Sequence, residues 1–275
     1  AIVGQNGAGK TTTVKMMNGL LKPTEGDVLI GDMNTKDYTT AQVSRVVGYV
    51  FQNPDDQIFH ATVESEVRYG PKTMKLDPAE EDRRVQEALE ITGMEEFKDE
   101  NPMNLPLSMR KFVTIAAVIA MGTEILIFDE PTAVLTPQEI EELMLIMKDL
   151  VKEGKSIIFI THKLNEIKAV ANRCTILRKG KYIDTVDVAS TPVEKLSELM
   201  VGRKVNFIVE KDEPKLGDTV LEVKDLCYKP AHSSKNVLNN VSFDVRRGEI
   251  VCIAGIDGNG QTELVYALSG LIKHN

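Results

Sequence analysis

Residues 4–11 read GQNGAGKT, and the fold turns on them. They satisfy the pattern GxxxxGK[ST], with an apolar Ala1-Ile2-Val3 before them and the helix-forming TTVKMMNGLLK after, the strand–loop–helix setting the pattern needs. Gly4, Gly7 and Gly9 let the backbone turn its N–H groups toward one point, and a helix start adds positive dipole there. Within this loop, which runs through Asn6 to Thr12, Lys10 is placed for the outer phosphates of a nucleotide. Thr11 offers a hydroxyl to Mg²⁺.

The same layout returns 251 residues on. CIAGIDGNGQTELVYALSGLIK (252–273) repeats AIVGQNGAGKTTTVKMMNGLLK (1–22), matching Gly4 to Gly255 and Gly9 to Gly260. Gly258, Gly260 and Thr262 are therefore candidate nucleotide contacts of a second loop, but Gln261 stands where the first has Lys10. Two copies of one domain type are expected. The first spans 1–209 and lacks its N-terminal strands, and 210–218 (EKDEPKLGD), charged and carrying Pro and Gly, reads as a linker. Residues 219–275 would begin a second, degenerate copy that stops after its first helix.

Between the loops, strand and helix patterns alternate, which predicts an α/β fold with a mainly parallel sheet covered by helices. Ile125 to Phe128 is an apolar run of buried-strand type ending in Asp129 and Glu130. A carboxylate at the mouth of a parallel strand suits Mg²⁺, and a second beside it can orient an attacking water. Ile157 to Ile160 forms another such run, carrying His162 to the same edge, within reach of a terminal phosphate. Three helix starts are marked by a cap residue, a proline and a glutamate: Asp77-Pro78-Ala79-Glu80, Thr136-Pro137-Gln138-Glu139 and Thr191-Pro192-Val193-Glu194. The middle helix should bury Ile140, Leu143, Met144, Met147, Leu150 and Val151 before Gly154 ends it.

Composition limits the function classes. With 42% hydrophobic and 27% charged residues the chain can build a packed core. Its longest apolar run, Phe112 to Gly122, is about half a bilayer span. Thirty-three basic against 41 acidic residues leave a net charge of -8 and no basic stripe, which argues against nucleic acid as a partner. Cys174, Cys227 and Cys252 are too far apart for a CxxC pair and read as reduced, buried thiols.

Taken in order, the loop at 4–12, Gln52 in GYVFQNPDDQIF, the acid pair in IFDEPTA and His162 resemble the nucleotide-binding subunits of ABC transporters. The resemblance implies a P-loop NTPase fold with a helical subdomain at about 60–120, ATP and Mg²⁺ as cofactors, and transport-coupled ATP hydrolysis. Lys10 and its loop would bind the phosphates, and Thr11, Gln52 and Asp129 would serve Mg²⁺. Glu130 would polarise the hydrolytic water, and His162 would sense the γ-phosphate. Transmembrane permease subunits and a second ATP-binding domain or chain are the implied partners, with the protein cytoplasmic and peripheral on the inner face of the membrane. Tyr228 is the counterpart of the aromatic that stacks on adenine.

Two departures stand out. The family's LSGGQ signature, whose serine and backbone amides cap a γ-phosphate held by the opposite domain, falls on Leu105-Pro106-Leu107-Ser108-Met109. Both glycines are replaced and a proline removes an N–H, so only Ser108 remains to substitute. The resemblance also changes along the chain. Residues 1–130 look like energy-coupling-factor or cobalt-type importer ATPases, whose cargo is a metal or vitamin, and 130–275 look like tandem-domain sugar or nucleoside importer ATPases. A join of two relatives at the shared DEPTA segment is the corresponding expectation, with an inactive fragment as one consequence. A soluble ATPase acting on ribosomes or DNA fits the net charge less well.

Overall fold

Ile2–Val3 ahead of the glycine loop is buried as strand β1 between two parallel neighbours. The computed structural model describes residues 1–204, 215–230, 235–255 and 258–272, and the chain divides into two units, Ala1–Val205 and Asn206–Asn275. The expected linker lies outside the described residues up to position 214.

In the first unit α1 (Lys10–Met17) follows β1, then β2 (Leu29–Ile30) and β3 (Met33–Asn34) pair antiparallel ahead of α2 (Thr40–Val43) and β4 (Val47–Val50). Three helices come next: α3 (Val63–Thr73), α4 (Pro78–Ile91) and α5 (Leu107–Ala120). The chain continues through β5 (Ile125–Asp129), α6 (Pro137–Lys152), β6 (Ser156–Ile160), α7 (Leu164–Val170), β7 (Arg173–Arg178), β8 (Lys181–Asp187) and α8 (Val193–Val201). The main sheet has the order β4-β5-β6-β1-β7-β8, parallel throughout except for the antiparallel edge strand β8.

The apolar runs explain that sheet, because a parallel strand covered on both faces has no polar side to show. Along β5, Ile127 packs with Ile2, Val14, Tyr49 and Ile160 on one face, while Leu126 and Phe128 pack with α6 residues on the other. Each fully buried aliphatic side chain there contributes roughly 1.5–3 kcal/mol. Helix α5 is buried almost all round: Val113, Ala116 and Ala120 face α3 and α4, and Ile115 and Val118 face the sheet. The apolar run at 112–122 is thus a core helix. Among the described residues no helix is long and apolar enough to cross a membrane.

The helix starts behave differently from one another. Thr136 and Glu139 form the expected reciprocal cap of α6, and Gly154 (φ 91°) follows its end. Asp77 caps α4 through the Ala79 amide, but Glu80 pairs with Arg83 and Arg84 instead of reaching back. The expectation for Thr191 fails: Pro192 is the cap residue of α8, and the Thr191 hydroxyl donates to the Asp187 carbonyl at 2.6 Å. Leu143, Met144, Met147 and Leu150 are core residues as expected, whereas Val151 is exposed at the rim of α6. Of the three thiols only Cys174 is buried; Cys227 is half-buried and Cys252 exposed.

In the second unit β9 (Thr219–Tyr228) and β10 (Leu238–Arg246) pair antiparallel, and α9 (Gln261–Leu268) packs Leu264 and Ala267 with Val223, Leu226 and Leu238. Tyr228 is half-buried against that cluster.

Candidate functional site

The strand order sets β5, β6 and β1 side by side, so their carboxyl ends deliver Asp129, Glu130, His162 and the glycine loop to one sheet edge. Gln52 arrives from the end of β4, next in the sheet. Residues separated by up to 158 positions meet here because right-handed crossovers return each parallel strand to the same edge.

The loop's backbone demands its glycines. Gly7 and Gly9 have φ of 77° and 93°, in the left-handed region. A Cβ on Gly4 would stand 2.2 Å from the Leu177 carbonyl oxygen of β7. The turn closes through the Ala8 amide donating to Gln5, and α1 begins at Lys10 with Gly9 as its cap residue. No side chain caps that helix start, so its free N–H groups and dipole face the loop's concavity. Asn6 and Thr12 are exposed beside it.

Lys10 is only 6% exposed. Its ammonium donates to the Gly4 and Gln5 carbonyls at 3.0 and 3.3 Å and lies 3.6 Å from the Glu130 carboxylate. The other Glu130 oxygen is 3.2 Å from His162 Nδ1. Glu130 itself sits at φ 43°, a left-handed conformation that costs a non-glycine residue about 1–3 kcal/mol and clusters at functional sites. The surroundings hold it there, since its amide extends the β5–β6 ladder by donating to the Ile160 carbonyl.

Asp129 is fully buried, and its two oxygens have different partners. One accepts from the Thr11 hydroxyl at 3.3 Å and the other from the Tyr49 hydroxyl at 2.8 Å. Burial, and then the neighbouring Asp129, push the Tyr49 phenol well above its ordinary range, so it stays a donor. Thr11, Gln52 and Asp129 line one cavity of about 320 Å³. A hydroxyl, an amide and a carboxylate, all oxygen donors, fit a small hard dication that takes its remaining ligands from phosphate and water. Among the described residues no three His, Cys, Asp or Glu side chains gather as a protein-only metal cage.

Ser108 is half-buried on the first turn of α5, where it hydrogen-bonds Glu139. Burial alone would raise the Glu139 carboxyl, but the Thr136 amide, the Ser108 hydroxyl and the Thr136 hydroxyl together hold it below its ordinary value. In the second unit Gly258 (φ 83°), Gly260 (φ 90°) and the exposed Thr262 repeat the turn and helix start of the first loop. Ile256 and Asp257 lie outside the described residues.

Two residues of the site were not anticipated. Tyr49 escapes sequence reasoning because an aromatic on a buried strand reads as core. Lys111 had a visible signal: it shares a helix face with Ile115 and Val118, a position otherwise apolar. It is 0% exposed, and its ammonium donates to the carbonyls of Phe51 and Gln52, the latter at 3.0 Å. Burial lowers its pKa to about 8, with Asp129 opposing that shift.

Known proteins share this chain's sequence pattern and fold. Residues 1–133 match the ABC transporter family. The nucleoside import ATP-binding protein NupA of Lactococcus lactis subsp. cremoris is 46% identical over 278 residues, covering 99% of this chain and 54% of the relative. The guanosine import ATP-binding protein NupO of Bacillus subtilis is 40% identical over 277 residues with the same coverage. The chain therefore spans about half the length of these relatives. Single relatives thus align with this chain on both sides of Glu130. Among solved structures, CbiO1 of Clostridium perfringens, part of the ABC transporter complex CbiONQ, superposes with a TM-score of 0.63 at 34% identity, covering 73% of this chain and 83% of that one.

Proposed function

Because this chain belongs to the ABC transporter family of ATP-binding proteins, we propose that it binds ATP with Mg²⁺ at the Lys10 loop and hydrolyses it to power import of nucleosides or related sugars through a membrane permease. The observation that carries the catalytic part is the Lys10–Glu130–His162 row on one sheet edge. The loop amides, the α1 dipole and Lys10 hold the phosphates, and a bound Mg²⁺ would neutralise phosphate charge from Thr11, Gln52 and Asp129. Glu130, freed from Lys10 when that ammonium turns to phosphate, orients the attacking water as general base. His162 sits beside it, placed to contact the terminal phosphate.

For the cargo, the support is the match to nucleoside importers along the whole chain. A second reading, import of a metal or vitamin, draws on the likeness to CbiO1 and on the first 130 residues. The family's sandwich of two nucleotide domains makes a second ATP-binding domain or chain, together with permease subunits, the expected partners. The site is cytoplasmic in this reading, on the inner face of the membrane.

The decisive test is Glu130→Gln in the assembled transporter. ATP binding should persist within about threefold while phosphate release falls by 100-fold or more, the scale of a lost general base. Normal phosphate release would remove Glu130 from its role. Uptake of labelled guanosine, ribose and cobalt by the wild-type assembly then assigns the cargo, and uptake of cobalt alone would favour the second reading.

A further inference from the structure

A lysine ammonium with no exposed surface is costly unless it is fully hydrogen-bonded, and Lys111 satisfies itself on backbone alone, at the Phe51 and Gln52 carbonyls. It belongs to α5, two residues after the Leu105–Met109 segment, and its targets belong to the loop that carries Gln52. Its neighbour reaches the same loop: the Arg110 guanidinium donates to Asp55 at 3.0 Å while also holding the Leu105 and Met103 carbonyls at 2.9 and 2.8 Å. At its far end α5 is gripped again, where Arg84 donates to the Met121 carbonyl and Lys155 to that of Gly122, each at 3.0 Å. The helix is therefore anchored at both ends, and the loop at 51–57 is tied to its first turn.

We infer that Lys111 is a positioning residue for the cation site: it pins the Phe51–Gln52 backbone to α5, so that a displacement of the 105–109 segment moves Gln52 relative to Thr11 and Asp129. The inference rests on the nucleotide reading above. Cation affinity is the quantity it controls, because Gln52 is the one candidate ligand held by a loop rather than by a strand end or helix start. An outer partner that fixes a ligand typically supports metal affinity by 10–100-fold. A role in packing alone predicts something else. Replacing a buried charge by methionine then changes stability and weakens nucleotide with and without cation alike.

The test titrates the full chain with a fluorescent ATP analogue, first in excess Mg²⁺ and then in EDTA, and takes the ratio of the two affinities. Lys111→Met should cut that ratio by about tenfold with binding in EDTA unchanged, and Lys111→Arg, which keeps the charge and the donors, should recover most of it. Lys111→Gln, which still donates to a carbonyl, supplies a folded comparison if the methionine variant does not fold; its ratio should fall by about threefold. A wild-type ratio in either neutral variant, or equal loss in both conditions, overturns the role of Lys111. A wild-type chain that binds no nucleotide overturns the nucleotide reading and this inference together.

Discussion

Residues 1–22 and 252–272 share a layout, yet only the first is built into a sheet. In both copies a left-handed glycine caps an eight-residue helix, Gly9 at φ 93° and Gly260 at φ 90°, and a second left-handed glycine stands two residues earlier. The residues before the loop diverge. Ile2–Val3 is a buried strand between β6 and β7, while 249–255 form no strand and Ile250 is 97% exposed. A glycine turn and a helix start are decided within a few residues of chain. A parallel strand is decided by its neighbours, which the first unit supplies and the described residues of the second, with one antiparallel pair, do not.

The two loops also differ in charge, which gives the largest contrast to test. A lysine about 4 Å from phosphate at an effective dielectric near 20 attracts it by on the order of 4 kcal/mol before desolvation is subtracted. Lys10→Ala should therefore weaken ATP binding by 100-fold or more, roughly 3 kcal/mol. Gln261→Ala should change it by less than about threefold, since a neutral amide contributes little to that attraction. Equal losses in a nucleotide titration would break the comparison.

Next come the glycines that open each loop. An alanine methyl at Gly4 meets the Leu177 backbone oxygen at 2.2 Å, which can yield only if β7 moves. At Gly255 it meets the end of the Gln261 side chain, which can swing away. Gly4→Ala should cost about 2–3 kcal/mol in chemical denaturation and Gly255→Ala less than about 0.5. Reversal of that order would show that the close approach to β7 is not what fixes Gly4.

The smallest effect tests the likeness instead. Neither Gly7 (φ 77°) nor Gly258 (φ 83°) has any atom within 4 Å of an added Cβ, so alanine pays only the left-handed backbone term. Both substitutions should lower protection of the following helix by about 1–2 kcal/mol in hydrogen exchange, and by the same amount. Unequal losses would mean that the two turns are not equivalent.

How much of this was legible in advance follows the same division. GQNGAGKT, the strand runs into Asp129 and His162, and the reciprocal cap of Thr136 and Glu139 could all be read, because each is a short-range pattern with one structural outcome. Thr191 was misread as a cap because its hydroxyl has a better partner, the Asp187 carbonyl, supplied by the end of β8. Tyr49 reads as core and Lys111 stands out only as a charge on an apolar helix face, and the packed structure alone brings one to Asp129 and the other to the Gln52 carbonyl.

By itself, then, the sequence determined the glycine turns, the reciprocal cap of α6 and the family, because glycine placement, caps and apolar periodicity act over a few residues. Only the tertiary structure decided that Ile2–Val3 became a strand and residues 249–255 did not, how Glu130 came to bridge Lys10 and His162, and that a buried lysine holds the Gln52 loop. Those contacts join residues far apart in the chain, and hydrogen bonds and charges of that kind exist only once the sheet has set its strand order.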